Sequence, residues 1–210
     1  MAIGDQRERA RLGRAESQAR IVAAASSLIR ERGFAGISIG EIMERAGIGR
    51  TIFYRHFDDL GDLLIKASRD AIGELYMAEL ELDTSEDGFS PEVVDAAIGP
   101  AVDVYSRHGP LLLALAEAAP GDERIATAQE GIRGRFDQLV ATALGGLPLY
   151  AERPESELLE IARALNLLNT SYLLDAFGRQ PRVTKEEALN TLRAIWLAVI
   201  ERGAGPRSAA

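Results

Sequence analysis

Apolar side chains in the N-terminal quarter of the chain recur every three to four residues, which is the period of an α-helix. The repeat that begins at Ile21 predicts a first helix over about residues 16–32, and Gly33 is suited to end it. Residues 1–15 are polar and rich in arginine, with no apolar period. We therefore predict that residues 1–15 form a flexible arm.

Two shorter helices follow and are joined by a tight turn. Ser38 and Glu41 have the three-residue spacing of a capping box, so they predict the start of a second helix that ends at Gly47. A third helix is predicted from about Arg50 to Phe57. The glycine-bearing turn between them would set the two helices at a steep angle.

The rest of the chain keeps the helical period, with breaks at residues 83–90, 147–154 and 178–183, which carry glycine, proline or acidic residues. Asp59 and Thr184 are predicted to open the fourth and the last helix. No segment shows the alternation of a β-strand, so we predict an all-α fold. The remaining predicted helices are Leu60–Leu80, Pro91–Tyr105, Leu111–Ala118, Asp122–Leu144, Glu155–Phe177 and Lys185–Arg202.

Composition and charge narrow the class of protein. The 210 residues include no cysteine, which excludes disulfides and thiolate metal sites. No apolar run approaches the ~20 residues of a membrane span and no secretory signal opens the chain, so we expect a cytoplasmic protein. The net charge is −8, but the first 60 residues carry +2 and the remaining 150 carry −10. A nucleic acid would therefore approach the N-terminal end.

The third predicted helix carries polar and aromatic side chains that have little use in a core. Phe53 suits its inward face, whereas Arg50 can donate two hydrogen bonds to guanine and Thr51 can touch a thymine methyl group. Tyr54 can donate to a phosphate. This combination favours insertion into the major groove of DNA. Two plainer interpretations stay open, since Arg50 could be a solvated surface residue and Tyr54 a packed aromatic one.

From about residue 18 to residue 67 the chain resembles the DNA-binding domain of TetR-family transcriptional regulators. The motif begins at Ser38 and includes the run AGIGRTIFYRHF that ends at Phe57. The resemblance implies a helix-turn-helix domain at residues 16–59 that binds double-stranded DNA. Ile52 could instead complete the core, and His56 could be a packing residue. The candidate DNA-binding residues are Ser38, Gly49, Arg50, Thr51, Ile52, Tyr54, Arg55 and His56.

Two positions depart from the family pattern. Gly49 stands where the family usually has serine, and glycine still caps a helix at a cost of roughly a few tenths of a kcal/mol but offers no hydroxyl to a phosphate. Leu60 stands where the family commonly has lysine, so one expected phosphate contact is missing. DNA binding would then depend more on the N-terminal arginines.

Two features of the C-terminal part point to a small-molecule site. Asn166 and Asn169 are three residues apart in an otherwise apolar helix, so both amides lie on one face. A buried amide without a partner costs about 1–3 kcal/mol, and a ligand could supply that partner. The amides could also satisfy each other, the backbone or a second subunit. Trp196, the only tryptophan, could belong to the ligand site or to the ordinary core.

The same region resembles a TetR-family member whose regulatory domain contains a long apolar tunnel. The resemblance implies that Asn166, Asn169 and Trp196 contact a ligand and that Tyr105 and Phe136 form an aromatic wall. Because the implied lining is mostly apolar, we expect a hydrophobic small molecule and no cofactor. The other lining residues that the resemblance implies are Ile98, Ala101, Leu139, Val140, Leu173 and Leu174.

The last two predicted helices are apolar on more than one face and need partners on two sides. In the family such helices pair with their copies about a two-fold axis, which implies a homodimer on a palindromic operator. Residues 60–203 would form the ligand-binding and dimerisation domain, and residues 204–210 a disordered tail. We therefore predict a repressor that releases DNA when a ligand moves the fourth helix.

Two other classes of protein fit the sequence less well. An enzyme would need a nucleophile–base pair, a metal cluster or a phosphate-binding loop, and the chain offers two histidines, no cysteine and only the short Gly47-x-Gly49. We predict no catalytic residue and no metal site. An adaptor with a degenerate helix-turn-helix would bind no DNA and show no steep dependence on salt. An activator would share every feature described so far.

Overall fold

The computed structural model describes residues 2–80 and 91–202, and every regular element within these ranges is helical. The predicted all-α fold is confirmed. The predicted break at residues 83–90 and the predicted tail at residues 204–210 lie outside the described residues. The elements are α1 (Ala2–Arg32), α2 (Ile39–Ala46), a 3₁₀ helix (Arg50–Arg55), α3 (Leu60–Ala67), α4 (Arg69–Leu80), α5 (Pro91–Ala118), a 3₁₀ turn (Ala119–Gly121), α6 (Glu123–Gly145), α7 (Glu155–Phe177) and α8 (Lys185–Arg202).

The first helix begins well before its predicted start at residue 16. Helix α1 begins at Ala2, so the segment that we predicted as an arm is helical. This segment is rich in alanine and arginine, which are strong helix formers. A missing apolar period therefore does not exclude a helix where the residues themselves favour one. Gly33 ends the helix as predicted, with a φ of 78° that favours glycine.

Helix α2 is held at both ends by the residues that the sequence singled out. The Ser38 side chain accepts from the Glu41 N–H while the Glu41 carboxylate accepts from the Ser38 N–H, so the capping box is complete. Gly47 follows the last turn with a φ of 65°. Arg20 of α1 donates to the Ala46 carbonyl at 2.7 Å, which adds a positive charge at the end of α2 where the helix dipole favours one.

The predicted fourth helix is divided into α3 and α4. Ser68 lies between them with a ψ of −8°, far from the α-helical value near −42°, although the Ser68 N–H still bonds to the Leu64 carbonyl at 3.0 Å. The side chain of Ser68 is fully buried and its hydroxyl has no hydrogen-bond partner within the described residues. Asp59 caps α3 as predicted, since it accepts from the Asp62 N–H at 2.8 Å.

Helix α5 joins two helices that we predicted to be separate. It runs without a break through Pro100 and Pro110, so the predicted end at Tyr105 and the predicted new start at Leu111 are wrong. Helix α5 crosses α7 closely at Gly109, where an added Cβ atom would lie only 2.2 Å from the carbonyl oxygen of Phe177. Gly109 is therefore required for packing, and α5 stays continuous because both of its halves are buried.

The buried side chains form two main clusters, and α5 contributes to both. The first cluster joins α1, α2, the 3₁₀ helix and α3 to the C-terminal half of α5 and the start of α6, with Phe53, Leu115 and Ile125 among its members. The second joins α5, α7 and α8 and includes Leu173 and Trp196. Helix α5 thus joins the core of the N-terminal helices to the core of the C-terminal helices.

Two glycines of α5 allow the crossing with α7 to be tested. Gly109→Ala should lower the free energy of unfolding by about 1–3 kcal/mol or more, because the new Cβ atom meets backbone that cannot move aside. Gly99→Ala is the matched control, since no atom lies within 4 Å of its added Cβ. It should raise the free energy of unfolding by up to about 1 kcal/mol through helix propensity. Urea unfolding followed by circular dichroism measures both, and stabilisation by Gly109→Ala would contradict the close crossing.

Candidate nucleic-acid interface and regulatory interior

Two buried aromatic rings fix the 3₁₀ helix to the first cluster. Phe53 and Phe57 are almost fully buried, with ring centroids 5.4 Å apart. Tyr54 meets the Phe53 ring edge-on at 5.5 Å but remains 54% exposed. The packing therefore holds Tyr54 in a defined position and still leaves it open to a partner.

Most of the predicted DNA-binding residues are exposed, and we call this exposed set the reading surface. Ile52 is half-buried and packs against the first cluster, so its side chain helps to complete the core. The charged and aromatic members lie on the outer side of the 3₁₀ helix, where a nucleic acid can reach them. The exposed members, which define the reading surface, are Ser38, Gly49, Arg50, Thr51, Tyr54 and Arg55.

His56, one of the candidate DNA-binding residues, is buried and does not lie on the reading surface. It follows the 3₁₀ helix at the point where the chain turns toward α3, and its ring is buried with Nε2 2.8 Å from Ser17 Oγ. Burial lowers the pKa of His56, and the nearby positive charges of Arg14, Arg55 and Lys66 lower it further. The structure therefore places His56 as a neutral packing residue, which was the plainer interpretation.

Two cations hold the end of the 3₁₀ helix from opposite sides. Arg14 of α1 donates to the Arg55 carbonyl at 3.2 Å, and Lys66 of α3 donates to the His56 carbonyl at 2.8 Å. Lys66 also bonds to Asp62 at 2.8 Å. Sequence reasoning missed both cations, although Asp62 and Lys66 have the four-residue spacing of a helical ion pair. They satisfy carbonyls that a short helix leaves without internal partners.

A network of exposed ion pairs sets the angle between α1 and α2. Arg45 donates to both carboxylate oxygens of Glu31, at 2.6 and 2.9 Å, and Arg32 pairs with Glu41 at 2.5 Å. The hydrogen bond from Arg45 holds the pKa of Glu31 at about 2, and the one from Arg32 does the same for Glu41. Because these groups are exposed, the pairs orient α2 rather than contribute much stability.

In the regulatory interior, both predicted ligand-binding amides already have protein partners. Asn166 donates to Asp137 of α6 at 2.9 Å, and Trp196 of α8 donates from its indole nitrogen to the Asn169 oxygen at 3.0 Å. Asp137 is buried, with Arg163 at 3.9 Å. Sequence reasoning missed Asp137, which lies one helical turn before the buried Ala141 and could have been found from that spacing. The amides thus link α7 to its two neighbours.

The predicted tunnel lining is only partly brought together. Burial raises the pKa of Tyr105, while its hydrogen bond with Thr170 acts in the opposite direction. Phe136 instead stacks on Tyr76 of α4, with ring centroids 5.3 Å apart, and Leu139 is 42% exposed. Leu174 packs in a small separate cluster with Val104 and Leu112 of α5. The residues that do pack in the second cluster are Ile98, Ala101, Tyr105, Val140, Leu173 and Trp196.

Two surface cavities lie away from the predicted tunnel. One of about 390 Å³ is lined by the α1–α2 ion pairs, including Glu31 and Arg45. The other, of about 460 Å³, lies beside the α7–α8 connection and is lined in part by Phe177, Pro181 and Thr184. Among the described residues, no group of three or more histidine or acidic side chains is placed to hold a metal ion. No helix of the described ranges is long and apolar enough to cross a membrane.

A short exposed helix that follows a capped helix and a glycine turn defines a helix-turn-helix DNA-binding regulator. The family model described as "Bacterial regulatory proteins, tetR family" matches residues 21–67. The transcriptional regulator EthR of Mycobacterium tuberculosis is 25% identical over 183 residues, which cover 86% of this chain and 85% of EthR. Residues 21–67 thus match the TetR family, and the chain is similar to the transcriptional regulator EthR over most of its length, as the resemblance to a TetR-family member with an apolar tunnel predicted.

Solved structures agree on the fold. A TetR-family regulator from Streptomyces coelicolor superimposes with a TM-score of 0.70 at 21% identity, covering 92% of this chain and 84% of that one. A putative transcriptional regulator from Pseudomonas aeruginosa PAO1 gives a TM-score of 0.70 at 16% identity, covering 90% and 93%. These relatives and neighbours are transcriptional regulators and not enzymes.

The burial of His56 predicts a pH-dependent stability. The folded state holds the pKa of His56 below its usual value of about 6.5, so the unfolded state binds the proton more readily. Neutral His56 therefore makes its full contribution to the free energy of unfolding above about pH 6.5, and this contribution is lost as the pH falls toward the lowered pKa. Thermal unfolding at about pH 7.5 and about pH 5.5 should show a larger loss for the wild type than for His56→Gln. His108→Gln retains His56 and serves as the control; equal losses in the wild type and His56→Gln would contradict the assignment.

Proposed function

We propose that the protein is a dimeric repressor that binds a palindromic operator and releases it when a hydrophobic small molecule enters the regulatory domain. Most TetR-family regulators are repressors, and the observation that carries the proposal is the reading surface itself. Its side chains are exposed on a segment whose other face is fixed in the core. Since its target would be genomic DNA, the protein would act in the cytoplasm.

The reading surface offers the groups that direct recognition of bases requires. Arg50 is exposed at the start of the 3₁₀ helix and suits the two acceptors of guanine, and Thr51 beside it suits a thymine methyl group. Tyr54 is exposed and could donate to a phosphate, whereas the Ser38 hydroxyl already donates to Glu41 at 2.8 Å. A surface of this composition favours DNA over the apolar peptide groove that an adaptor would need.

The surface of α7 and α8 favours a second copy of the chain as the dimer partner. Leu167 and Leu168 are 41% and 37% exposed, although both belong to a helix whose other faces are buried. Small side chains beside them, at Ala164 in α7 and at Ala194 and Ala198 in α8, are also exposed. Pairing of these faces about a two-fold axis would bury the leucines and present two reading surfaces on one side of the dimer.

A ligand that enters the interior between α6, α7 and α8 would meet hydrogen bonds that already join these helices. The Trp196–Asn169 and Asn166–Asp137 hydrogen bonds are the polar links that an entering molecule would break or replace. Phe136, next to Asp137 in α6, stacks on Tyr76, so a shift of α6 would reach α4. The ligand releases DNA only if it binds the shifted conformation more tightly than the DNA-bound one.

Substitution of Arg50 tests the reading surface. Fluorescence anisotropy with the intergenic DNA upstream of the protein's own gene should show tight binding that weakens steeply with salt. Arg50→Ala should weaken it by about 1–3 kcal/mol, or roughly 5- to 150-fold, and relax the preference for one base pair. Arg50→Lys keeps the charge but not the paired geometry and should recover only part of the loss.

Arg179→Ala is the control for loss of a positive charge, because Arg179 lies at the α7–α8 connection, outside the reading surface. Wild-type protein that binds without salt dependence would favour the adaptor, and Arg179→Ala binding as weakly as Arg50→Ala would contradict the assigned surface. Transcription from the same promoter in vitro separates a repressor from an activator.

Two substitutions test the proposed ligand site. Hydrophobic compounds that release the wild-type protein from its operator should do so at a concentration changed by Trp196→Ala and by Asn166→Ala, because each variant alters a polar link of the interior. Operator affinity without the compound provides the reference for each variant. Thr191→Ala, on the exposed side of α8, is the matched control. An unchanged ligand response in both interior variants would refute the site.

A further inference from the structure

One arginine side chain joins the N-terminal caps of two helices from different parts of the chain. Arg124, in the first turn of α6, donates from Nη2 to both carboxylate oxygens of Asp59, at 3.0 and 2.8 Å, and to Asp122 Oδ2 at 2.6 Å. Its Nε donates to Asp122 Oδ1 at 3.0 Å. Asp59 caps α3 and Asp122 caps α6. We call these three residues the cap cluster.

The neighbouring glycine is shaped to this cluster. Gly61 lies in the first turn of α3, and a Cβ atom added there would lie 2.3 Å from Asp122 Oδ2 and 2.9 Å from Arg124 Nη2. Glycine is a poor helix former, and the backbone of Gly61 does not have the positive φ that would require it. The close approach of α6 therefore accounts for a glycine at this position.

The cap cluster contributes to orientation more than to stability. The hydrogen bond from Arg124 lowers the pKa of Asp122, so both are ionised near neutral pH. The side chains of Arg124 and Asp59 are each 50% exposed, and exposed ion pairs add little to the free energy of unfolding. The guanidinium nevertheless binds Asp122 as a planar fork through Nε and Nη2, and Asp59 shares the other Nη2 hydrogen between its two oxygens, so one rigid plane relates the directions of both carboxylates.

The cluster lies where the reading surface meets the regulatory domain. Asp59 is two residues after Phe57, which anchors the 3₁₀ helix, and Ile125, next to Arg124, is buried in the same cluster as Phe53. Farther along α6, Phe136 holds α4 through Tyr76. Helix α6 therefore contacts the chain at the start of α3 and again within α4.

We propose that Arg124 is a positioning residue for DNA recognition, which acts through Asp59 to fix the direction of the 3₁₀ helix relative to the regulatory domain. In a dimer this direction determines the separation of the two reading surfaces, and hence the spacing of operator half-sites. The inference rests on the proposed binding of a palindromic operator by a dimer. Loss of the cluster then widens the range of half-site spacings that the protein accepts.

The test measures binding to a series of palindromes whose central spacer changes by one base pair at a time. Each added base pair rotates one half-site by about 34° relative to the other, so a rigid dimer discriminates steeply. We expect the wild type to lose about tenfold or more in affinity one base pair from its best spacing. Arg124→Ala should bind the neighbouring spacings within about threefold of its best.

Three further variants separate positioning from charge and folding. Gly61→Ala removes no charge but displaces the ends of Asp122 and Arg124, so it should flatten the spacing profile like Arg124→Ala. Asp59→Asn keeps a capping side chain but loses the charge pair, and it carries the test if Arg124→Ala does not fold. Arg133→Ala removes an arginine of α6 that pairs with Glu130 and should retain the wild-type profile.

The outcomes are distinct. A wild-type spacing profile in Arg124→Ala or in Asp59→Asn would overturn the inference, as would equal flattening in Arg133→Ala. A general loss of affinity with unchanged spacing preference would also overturn it, because a merely structural role produces that result. If the wild type itself prefers no palindrome, the proposed function has failed, and the inference fails with it for a different and recognisable reason.

Discussion

The reading surface depends on the burial of two phenylalanine rings. A 3₁₀ helix of six residues is too short to be stable alone, because helix nucleation costs more than so few hydrogen bonds return. Phe53 and Phe57 supply the missing stability, because their rings are buried among α1, α2, α3 and α5. The exposed residues between them take their directions from this burial. Recognition of DNA is therefore a property of the core as much as of the surface.

Local signals in the sequence predicted the helix ends well, and tertiary packing accounts for the errors. Gly33, Ser38 and Asp59 act through neighbours within four residues, so their roles could be recognised from spacing alone. The predicted gap between Tyr105 and Leu111 was wrong because the burial of both halves of α5 outweighs the backbone hydrogen bond lost at Pro110. The division at Ser68 had no local signal, since its geometry is defined by the surroundings of a buried side chain.

For the candidate site too, the sequence predicted the local features, whereas the long-range contacts became known only from the structure. Exposure of Arg50 and Tyr54 followed from their place between the apolar residues of one short helix. The partner of His56 lies 39 residues away along the chain and that of Asn166 lies 29 residues away, and no helical period connects them. The family resemblance identified the right class of regulator, whereas the partners of its buried polar groups had to come from the fold.

The continuity of α5 limits which fragments of this protein can fold on their own. Leu111, Ala114 and Leu115 near the end of α5 complete the core around the 3₁₀ helix, while Val94 and Ile98 near its start belong to the core around α8. A fragment that ends after α4 would expose the apolar residues that α5 covers. A chimera that combines the N-terminal helices of one relative with the C-terminal helices of another would fold only if the last turns of α5 came from the same protein as the N-terminal helices. Substitutions that change the operator preference must for the same reason stay compatible with the C-terminal helices, because helix α5 belongs to both cores.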